Sequence, residues 1–290
     1  MKEIKSRYGI VFLVFIMFFP VFPISAETGE IRLKKQSVHL KLNEYYVLYS
    51  YPQGPYIDDN ARLMVPLRSI SELMGAEVTY LPETRTALII WDKAELSITI
   101  NSKQARVNEQ IVEMDTTPVM KQHAMFVPIR LLLDHLPLEA RWDQANNMLS
   151  MEDEGFFKGD MAFHYMETDD RHNIEEVADL DKLMPLSYDL LYVTTSSQTP
   201  KLDLTIRALN RFGEDIPEGR EDLHRIAIYL REDKLHMTQD ETAPPYVAYR
   251  NRPEVVKDEI FERSSSLGAQ PGDRLKYVLV KGRVLKEAYQ

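Results

Sequence analysis

Cysteine is absent from all 290 residues of the chain. Its absence excludes a disulfide framework, a thiolate metal site and a lipid-modified N-terminal cysteine. The fold must therefore be held by packing and hydrogen bonding, without covalent crosslinks.

Sequence motifs of the common catalytic centres are also absent. The chain contains no GxSxG, SxxK or HExxH, and its 11 glycines form neither a P-loop nor a GxGxxG turn. A catalytic site would therefore have to be assembled from residues far apart in the sequence.

The N-terminus has the order of a secretory signal. Lys2, Lys5 and Arg7 precede an apolar run over residues 8–22, and small residues follow. We predict cleavage between Ala26 and Glu27, which makes residues 1–26 a signal peptide. An uncleaved anchor is the alternative, although the run is shorter than the roughly 20 residues that cross a membrane. After cleavage we expect no stable transmembrane segment, and a secreted or cell-surface location.

Acidic residues outnumber basic ones, with 45 Asp and Glu against 35 Lys and Arg. Removing Lys2, Lys5, Arg7 and Glu3 with the signal changes the net charge from −10 to −12. Such a chain repels phosphate backbones, so we expect no nucleic-acid partner.

A tetrapeptide recurs at an offset of 62 residues, as Val65-Pro66-Leu67-Arg68 and then as Val127-Pro128-Ile129-Arg130. The match continues without a gap as far as Tyr80 and Trp142. This period is longer than the roughly 20 to 50 residues of solenoid repeats, so it indicates a duplicated supersecondary unit.

Each copy predicts a strand, a short helix, a strand, a turn and a strand. Pro66 suits the first turn of a helix, and Gly75 can adopt the left-handed conformation that ends one. Alternation at Val78 and Tyr80 then predicts a strand. We therefore predict an α+β fold with a duplicated strand-helix-strand stalk domain, followed by a β-rich, sandwich-like second domain.

The doubled motif resembles the N-terminal domain of copper amine oxidases. The residues that carry the resemblance are Arg62 to Tyr80, a hairpin at Val107 to Gln110, and Phe126 to Arg130 followed by Arg141-Trp142-Asp143. The resemblance covers about residues 37–151. It implies a stalk domain without copper or quinone cofactor, since in those oxidases both belong to a separate catalytic domain.

The histidines do not have the spacing of a copper site. They are His39, His123, His135, His164, His172, His224 and His236, and no two stand at ligand spacing. We therefore predict no metal, no cofactor and no catalytic residue. Spatial pairs of His164 with Asp160, Asp169 or Asp170, or of His224 with Asp222, were the catalytic alternative, although neighbouring polar residues are more often simply solvated.

Arg68 and Arg130 follow Val-Pro identically in the two copies. One interpretation pairs them with Glu72, Asp134 or a backbone carbonyl, which would tie helix to sheet. The other makes them a binding site for an anionic ligand.

The remaining chain divides into an acidic linker and a second domain. Residues 152–186 are rich in carboxylates, and we interpret them as a solvated linker with a short helix at residues 173–183 rather than a calcium site. Residues 187–290 predict a β-rich domain with strands around Leu204 and Ile228, a helix at residues 254–263, and a closing hairpin at Lys281-Gly282.

Three functions follow from these features. The favoured one is an exported, non-enzymatic protein whose stalk-like domain is a spacer or docking module for a cell-wall component or another exported protein. The second is an extracellular hydrolase with its site in residues 187–290. The third is a helper that folds or inhibits a neighbouring secreted enzyme.

Overall fold

The structure is a computed structural model of the chain. It describes residues 29–33, 39–136, 138–160, 162–163, 178–194, 200–239 and 252–287. The predicted signal peptide, Pro137, His164, His172 and residues 173–177 lie outside the described residues.

Strands dominate the described residues, and two helices of seven residues each, α1 and α2, interrupt them. The elements of the first half are β1 (Gly29–Leu33), β2 (His39–Leu42), β3 (Tyr45–Ser50), β4 (Tyr56–Ile57), β5 (Leu63–Pro66), α1 (Leu67–Leu73), β6 (Glu77–Leu81), β7 (Thr86–Trp91), β8 (Ala94–Thr99), β9 (Gln104–Val107), β10 (Gln110–Glu113), β11 (Val119–Lys121), β12 (Ala124–Pro128), α2 (Ile129–His135), β13 (Glu139–Asp143) and β14 (Met148–Glu152). Those of the second half are β15 (Ala178–Leu180), β16 (Leu183–Thr194), β17 (Lys201–Asn210), β18 (Glu221–Arg231), β19 (Lys234–Gln239), β20 (Ile260–Gly268) and β21 (Arg274–Leu285).

These strands form four sheets. The central sheet has the order β13-β14-β2-β3-β21-β18-β19, with β15 also paired to β21. The outer sheet is β1-β16-β17-β20, the five-stranded sheet is β10-β9-β8-β7-β6, and the short sheet is β11-β12-β5-β4. Only β2 and β14 pair in parallel among the described strands. The central sheet therefore joins strands from both halves of the chain.

The middle strands of the central sheet, such as β3 and β21, are buried on both faces. On one face Tyr45 and Val47 of β3 share a core with both helices and the five-stranded sheet. On the other, Tyr46 and Leu48 pack with apolar residues of the outer sheet, such as Leu204. Because consecutive side chains of a strand point to opposite faces, β3 contributes to two cores at once.

The helices begin at the two Val-Pro motifs, as predicted. Pro66 and Pro128 precede α1 and α2 with φ of −69° and −64°. Gly75 has φ of +76°, and a Cβ there would lie 2.6 Å from the carbonyl oxygen of Gly155. Glycine is therefore required at this position both by its conformation and by a close backbone approach.

The predicted fold class is wrong, because strands make up 57% of the structure and helices 7%. Each helix is only seven residues long, and the strands that follow the two helices enter different sheets. β6 and β7 belong to the five-stranded sheet, whereas β13 and β14 belong to the central sheet. The molecule is consequently mainly β, not an α+β arrangement of two strand-helix-strand units.

Three local predictions for the second half are also wrong. Residues 178–180, within the predicted linker helix, form β15. Residues 254–263 contain an isolated bridge at Val255 and the start of β20 instead of a helix, and Val256 and Ile260 are exposed. The predicted closing hairpin at Lys281-Gly282 is the interior of one continuous strand, β21.

Other local predictions are confirmed. Residues 104–113 form the β9–β10 hairpin, with Asn108 in the left-handed region at φ of 52°. The alternating residues around Leu204 form β17, and those around Ile228 form β18. Alternation of apolar and polar residues therefore predicted the strands correctly, whereas helical spacing of apolar residues at 254–263 did not predict a helix.

Candidate functional site

The two Val-Pro motifs are direct neighbours in the short sheet. Val65 and Val127 face each other across the antiparallel β5–β12 pair, and both are fully buried. Pro66 pairs with Phe126 and Pro128 with Met64, so the backbone arrangement is nearly symmetric about this point.

The two motif arginines have different surroundings. Arg130 is 70% exposed, and its Nη1 lies 3.8 Å from Oδ2 of Asp115. Arg68 lines a cavity, and its side chain has no hydrogen bond or ion pair within the part of the chain that the structure describes. The predicted pairing of Arg68 with Glu72 is therefore not formed.

Glu72 is engaged by the last strand instead. Its Oε2 accepts a hydrogen bond of 2.7 Å from the hydroxyl of Tyr277 and pairs with Nζ of Lys276. Burial, and then the Glu72 carboxylate, raise the pKa of Tyr277 well above its usual value. The tyrosine is therefore a neutral donor at any ordinary pH, and these contacts join α1 to β21.

The cavity beside Arg68 has a volume of about 310 Å³. It lies where the short sheet, the five-stranded sheet and the central sheet meet. Its apolar walls come from Pro52, Leu67, Val78, Ala87, Met120, Ala124, Met125, Leu230 and Leu275. Its polar groups come from Tyr51, Arg68, Ser69, Tyr80, His123, Arg274 and Lys276. No carboxylate is among these lining residues, so the site combines an apolar floor with cationic groups.

The cavity holds a serine and a histidine, but the serine is not placed as a nucleophile. The hydroxyl of Ser69 donates a hydrogen bond to the carbonyl oxygen of Tyr51. His123 lies on the β11–β12 turn with φ of 63° and is exposed. A nucleophile needs its proton directed at a base, and this proton is directed at a backbone carbonyl.

The remaining described histidines are spread over the fold. His39 is on β2, His135 ends α2, His224 is on β18 and His236 is on β19. Nδ1 of His236 lies 3.3 Å from Nη2 of Arg231. Among the described residues no three His, Cys, Asp or Glu side chains are grouped so that they could hold a metal ion.

Buried ion pairs connect the strands of the second half. Nε of Arg283 lies 2.7 Å from Oδ2 of Asp222, and both side chains are fully buried. Nη2 of Arg252 lies 3.5 Å from the other oxygen of Asp222. Asp222 is therefore held by two cations, which gives this carboxylate a structural role in joining the strands.

Glu221 forms a second buried pair at the start of β18. Its Oε2 lies 2.8 Å from Nε of Arg263, and its Oε1 accepts a hydrogen bond from the backbone N–H of Leu223. The pair links β18 of the central sheet to β20 of the outer sheet. A buried carboxylate with two donors is a structural crosslink between sheets.

Trp142 lies apart from the cavity, on β13 at the edge of the central sheet, and is 45% exposed. A polar groove beside it includes Lys41, Arg141 and Asp143. Hydrogen bonding from the side chain of Asn146 lowers the pKa of Asp143.

The sequence indicated Arg68 but not its neighbours in the cavity. Arg274 and Lys276 stand in an alternating segment at the start of β21, and such a pattern predicts a strand without saying which strand or helix it faces. Their proximity to Arg68 arises only because β21 inserts beside β3 in the central sheet.

The first half of the chain matches a known family. Residues 27–151 match the family model described as copper amine oxidase N-terminal domain, which confirms the resemblance identified from the doubled motif. The second half matches no family. A comparison with curated proteins returned no match. None of the helices in the described residues is both long and apolar enough to span a membrane.

Proposed function

We propose that the protein is an exported, non-enzymatic cell-surface or secreted protein whose stalk-like domain acts as a spacer or docking module for a cell-wall component or another exported protein. The related domain is non-catalytic in the amine oxidases. The family match begins at Glu27, the residue that we predict to be the first of the mature chain. Ala26 and Glu27 themselves lie outside the described residues.

The cavity beside Arg68 is the observation that carries this proposal. Its polar groups suit recognition of an anion, while its apolar walls can accept part of a ligand away from water. General acid–base chemistry is better served by paired titratable groups, and the described residues that line this cavity include no carboxylate to orient His123. The site is therefore suited to binding rather than to turnover.

The hydrolase alternative has less support. Nδ1 of His236 lies beside the Arg231 guanidinium, whereas a catalytic base is oriented by a carboxylate. Asp222 is occupied by Arg283 and Arg252. The buried carboxylates Asp222 and Glu221 both pair with arginines, which is typical of a structural role.

Export and binding are tested separately. Production of the full chain in a secreting bacterial host should release a protein whose intact mass corresponds to a chain that begins at Glu27. Retention of residues 1–26 would favour the anchor.

The mature protein should then sediment with purified cell walls or be retained by immobilised exported proteins. Hydrolysis of peptide, ester or glycan substrates that disappears in His224→Ala or His236→Ala would overturn the non-enzymatic assignment.

A further inference from the structure

We infer that the cavity beside Arg68 is a docking site for an extended peptide segment of a partner protein, and that this segment presents a carboxylate next to a bulky apolar side chain. The inference rests on the proposed binding function and names the chemistry of the partner. Three features of the cavity carry it: its charge, its apolar floor and its position at a sheet edge.

The charge of the cavity is opposite to that of the molecule. The chain carries a net charge of −10, yet the described residues that line the cavity include Arg68, Arg274 and Lys276 and no carboxylate. Lys276 is neutralised by Glu72. The side chains of Arg68 and Arg274 have no hydrogen bond or ion pair in the described residues. Guanidinium groups bind carboxylates with paired hydrogen bonds, so two of them at one opening favour an anionic group there.

The floor of the cavity requires an apolar group as well. Leu67 and Leu275 are buried in it, while Met120 is 42% exposed and Tyr51 is 51% exposed at its opening. A phosphate or glycan polymer would have to lose water from its polar groups against this surface without gaining hydrogen bonds. A bulky aliphatic or aromatic side chain gains from the same contact, and methionine adapts its shape to such a group.

The position of the cavity favours a polypeptide over a lipid. Val78 and Tyr80, which line it, belong to β6, the terminal strand of the five-stranded sheet. A terminal strand offers backbone N–H and C=O groups to an added strand, and a volume of about 310 Å³ suits one or two side chains. In an added strand side chains two residues apart point to the same face, so an apolar residue can enter the cavity while a carboxylate two positions along reaches its rim.

The test uses the mature chain and short fluorescein-labelled peptides of β-forming residues with a central Leu-Thr-Glu, called Leu-Glu peptides, in which Leu and Glu share a face. Matched peptides replace Leu by Ser, replace Glu by Gln, or carry N-methyl groups on alternate backbone nitrogens. Fluorescence polarisation should show binding of the Leu-Glu peptide, with each matched peptide weaker by about tenfold or more.

The protein variants locate the binding. Arg68→Gln combined with Arg274→Gln should weaken the Leu-Glu peptide by about a hundredfold, because two charge-assisted contacts are lost. Arg130→Gln is the control, since this arginine follows the same motif but lies outside the cavity, and it should bind normally. Neither Arg68 nor Arg274 has a partner in the described residues, so the melting temperature should be unchanged in the double variant.

Three outcomes overturn the inference. They are equal binding of all four peptides, undiminished binding by the double variant, and arginine-dependent binding of laurate, inorganic phosphate or a wall polymer in place of the peptides. If the double variant still sediments with cell walls, the proposed binding function is retained, but this cavity is not the binding site.

Discussion

Charged residues in this protein differ in how much they contribute to the stability of the fold, and burial explains most of the difference. Arg283 and Asp222 are fully buried and form an ion pair, whereas Lys201 and Asp203 form one on the surface. A buried charge that loses its partner cannot be solvated, and a surface charge can.

We expect Arg283→Met to lower the free energy of unfolding by about 3 kcal/mol, because it leaves the Asp222 carboxylate with a weaker set of partners in a buried place. Denaturant titration followed by circular dichroism measures the change. Lys201→Met is the matched control and should change stability by less than about 1 kcal/mol. Equal effects of the two substitutions would contradict the structural role given to the buried pair.

Asp58 gives a prediction that depends on pH. Burial alone would raise its pKa, but hydrogen bonds from the backbone N–H of Arg62 and from Thr116 and Asn60 outweigh burial and lower it. A folded pKa below the unfolded one means that the charged carboxylate stabilises the protein above about pH 4. That contribution is lost as the pH falls through the folded pKa.

Asp58→Asn should therefore lower the melting temperature at neutral pH, by the equivalent of about 1 kcal/mol or less because solvent screens the site. The difference from the unaltered protein should shrink below about pH 4. Differential scanning calorimetry across this range measures it, and Asp59→Asn, at the exposed neighbouring position, is the control. A constant or growing difference at acidic pH would contradict the assignment.

At the scale of elements, glycine positions decide how closely strands approach. Gly282 lies within β21, and a Cβ there would come 1.8 Å from the carbonyl oxygen of Leu183. The neighbouring backbone is fixed by a hydrogen bond of 3.0 Å from the N–H of Lys182 to the carbonyl of Gly282. The glycine that suggested a turn in the sequence is therefore needed for contact between β21 and β16.

Gly282→Ala should destabilise the protein by about 3 kcal/mol or more, since two backbones would have to move apart. Gly268→Ala, in β20, is the control because a Cβ there meets nothing within 4 Å, and it should change stability by less than about 0.5 kcal/mol. Thermal melts of both variants measure the difference. A mild Gly282→Ala variant would show that β16 and β21 are less closely packed than described.

The sequence was a good guide to elements that depend on local patterns. The helix starts at Pro66 and Pro128, the left-handed Gly75 and the hairpin at Asn108 were all predicted from local chemistry. Failures came where neighbours in space override local patterns. The segment at Val255 has helical apolar spacing, yet Val255 pairs with Ile216 in an isolated bridge.

The candidate site was only partly accessible to sequence analysis for the same reason. Arg68 was a candidate binding residue because its motif is repeated in the sequence, and the structure places it in the cavity. Arg274 carries no motif and reaches the cavity through the pairing of β21 with β3. Pairing between strands that are far apart in the sequence leaves no pattern within either strand. Neither segment alone therefore predicts it.

At the scale of the whole molecule, the two halves of the chain share their cores. Tyr46, Leu48 and Tyr49 of β3 are nearly inaccessible to solvent because the outer sheet covers them. The segment that matches the family, residues 27–151, contains β3 but not the later strands that pack on it. Isolating that segment would uncover a row of apolar and aromatic side chains.

We therefore expect the fragment of residues 27–151 to lack a cooperative thermal transition and to bind a hydrophobic dye, unlike the mature chain. Calorimetry and dye fluorescence on the two proteins test this expectation. Cooperative unfolding of the fragment near the melting temperature of the mature chain would show instead that the first half is an autonomous domain.

The pairing of β3 with β21 also bears on how fast the molecule can fold. The hydroxyl of Tyr277 on β21 donates its hydrogen bond to Glu72, 205 residues earlier in the chain. Contacts that close so long a loop form slowly, because the entropy of closure must be overcome before the contact is gained. Until β21 pairs with it, β3 keeps an open edge, and its face with Tyr46 and Leu48 lacks the cover of the later strands, so the chain is prone to aggregate. The rate at which β21 pairs with β3 therefore determines how long the newly made protein remains able to aggregate.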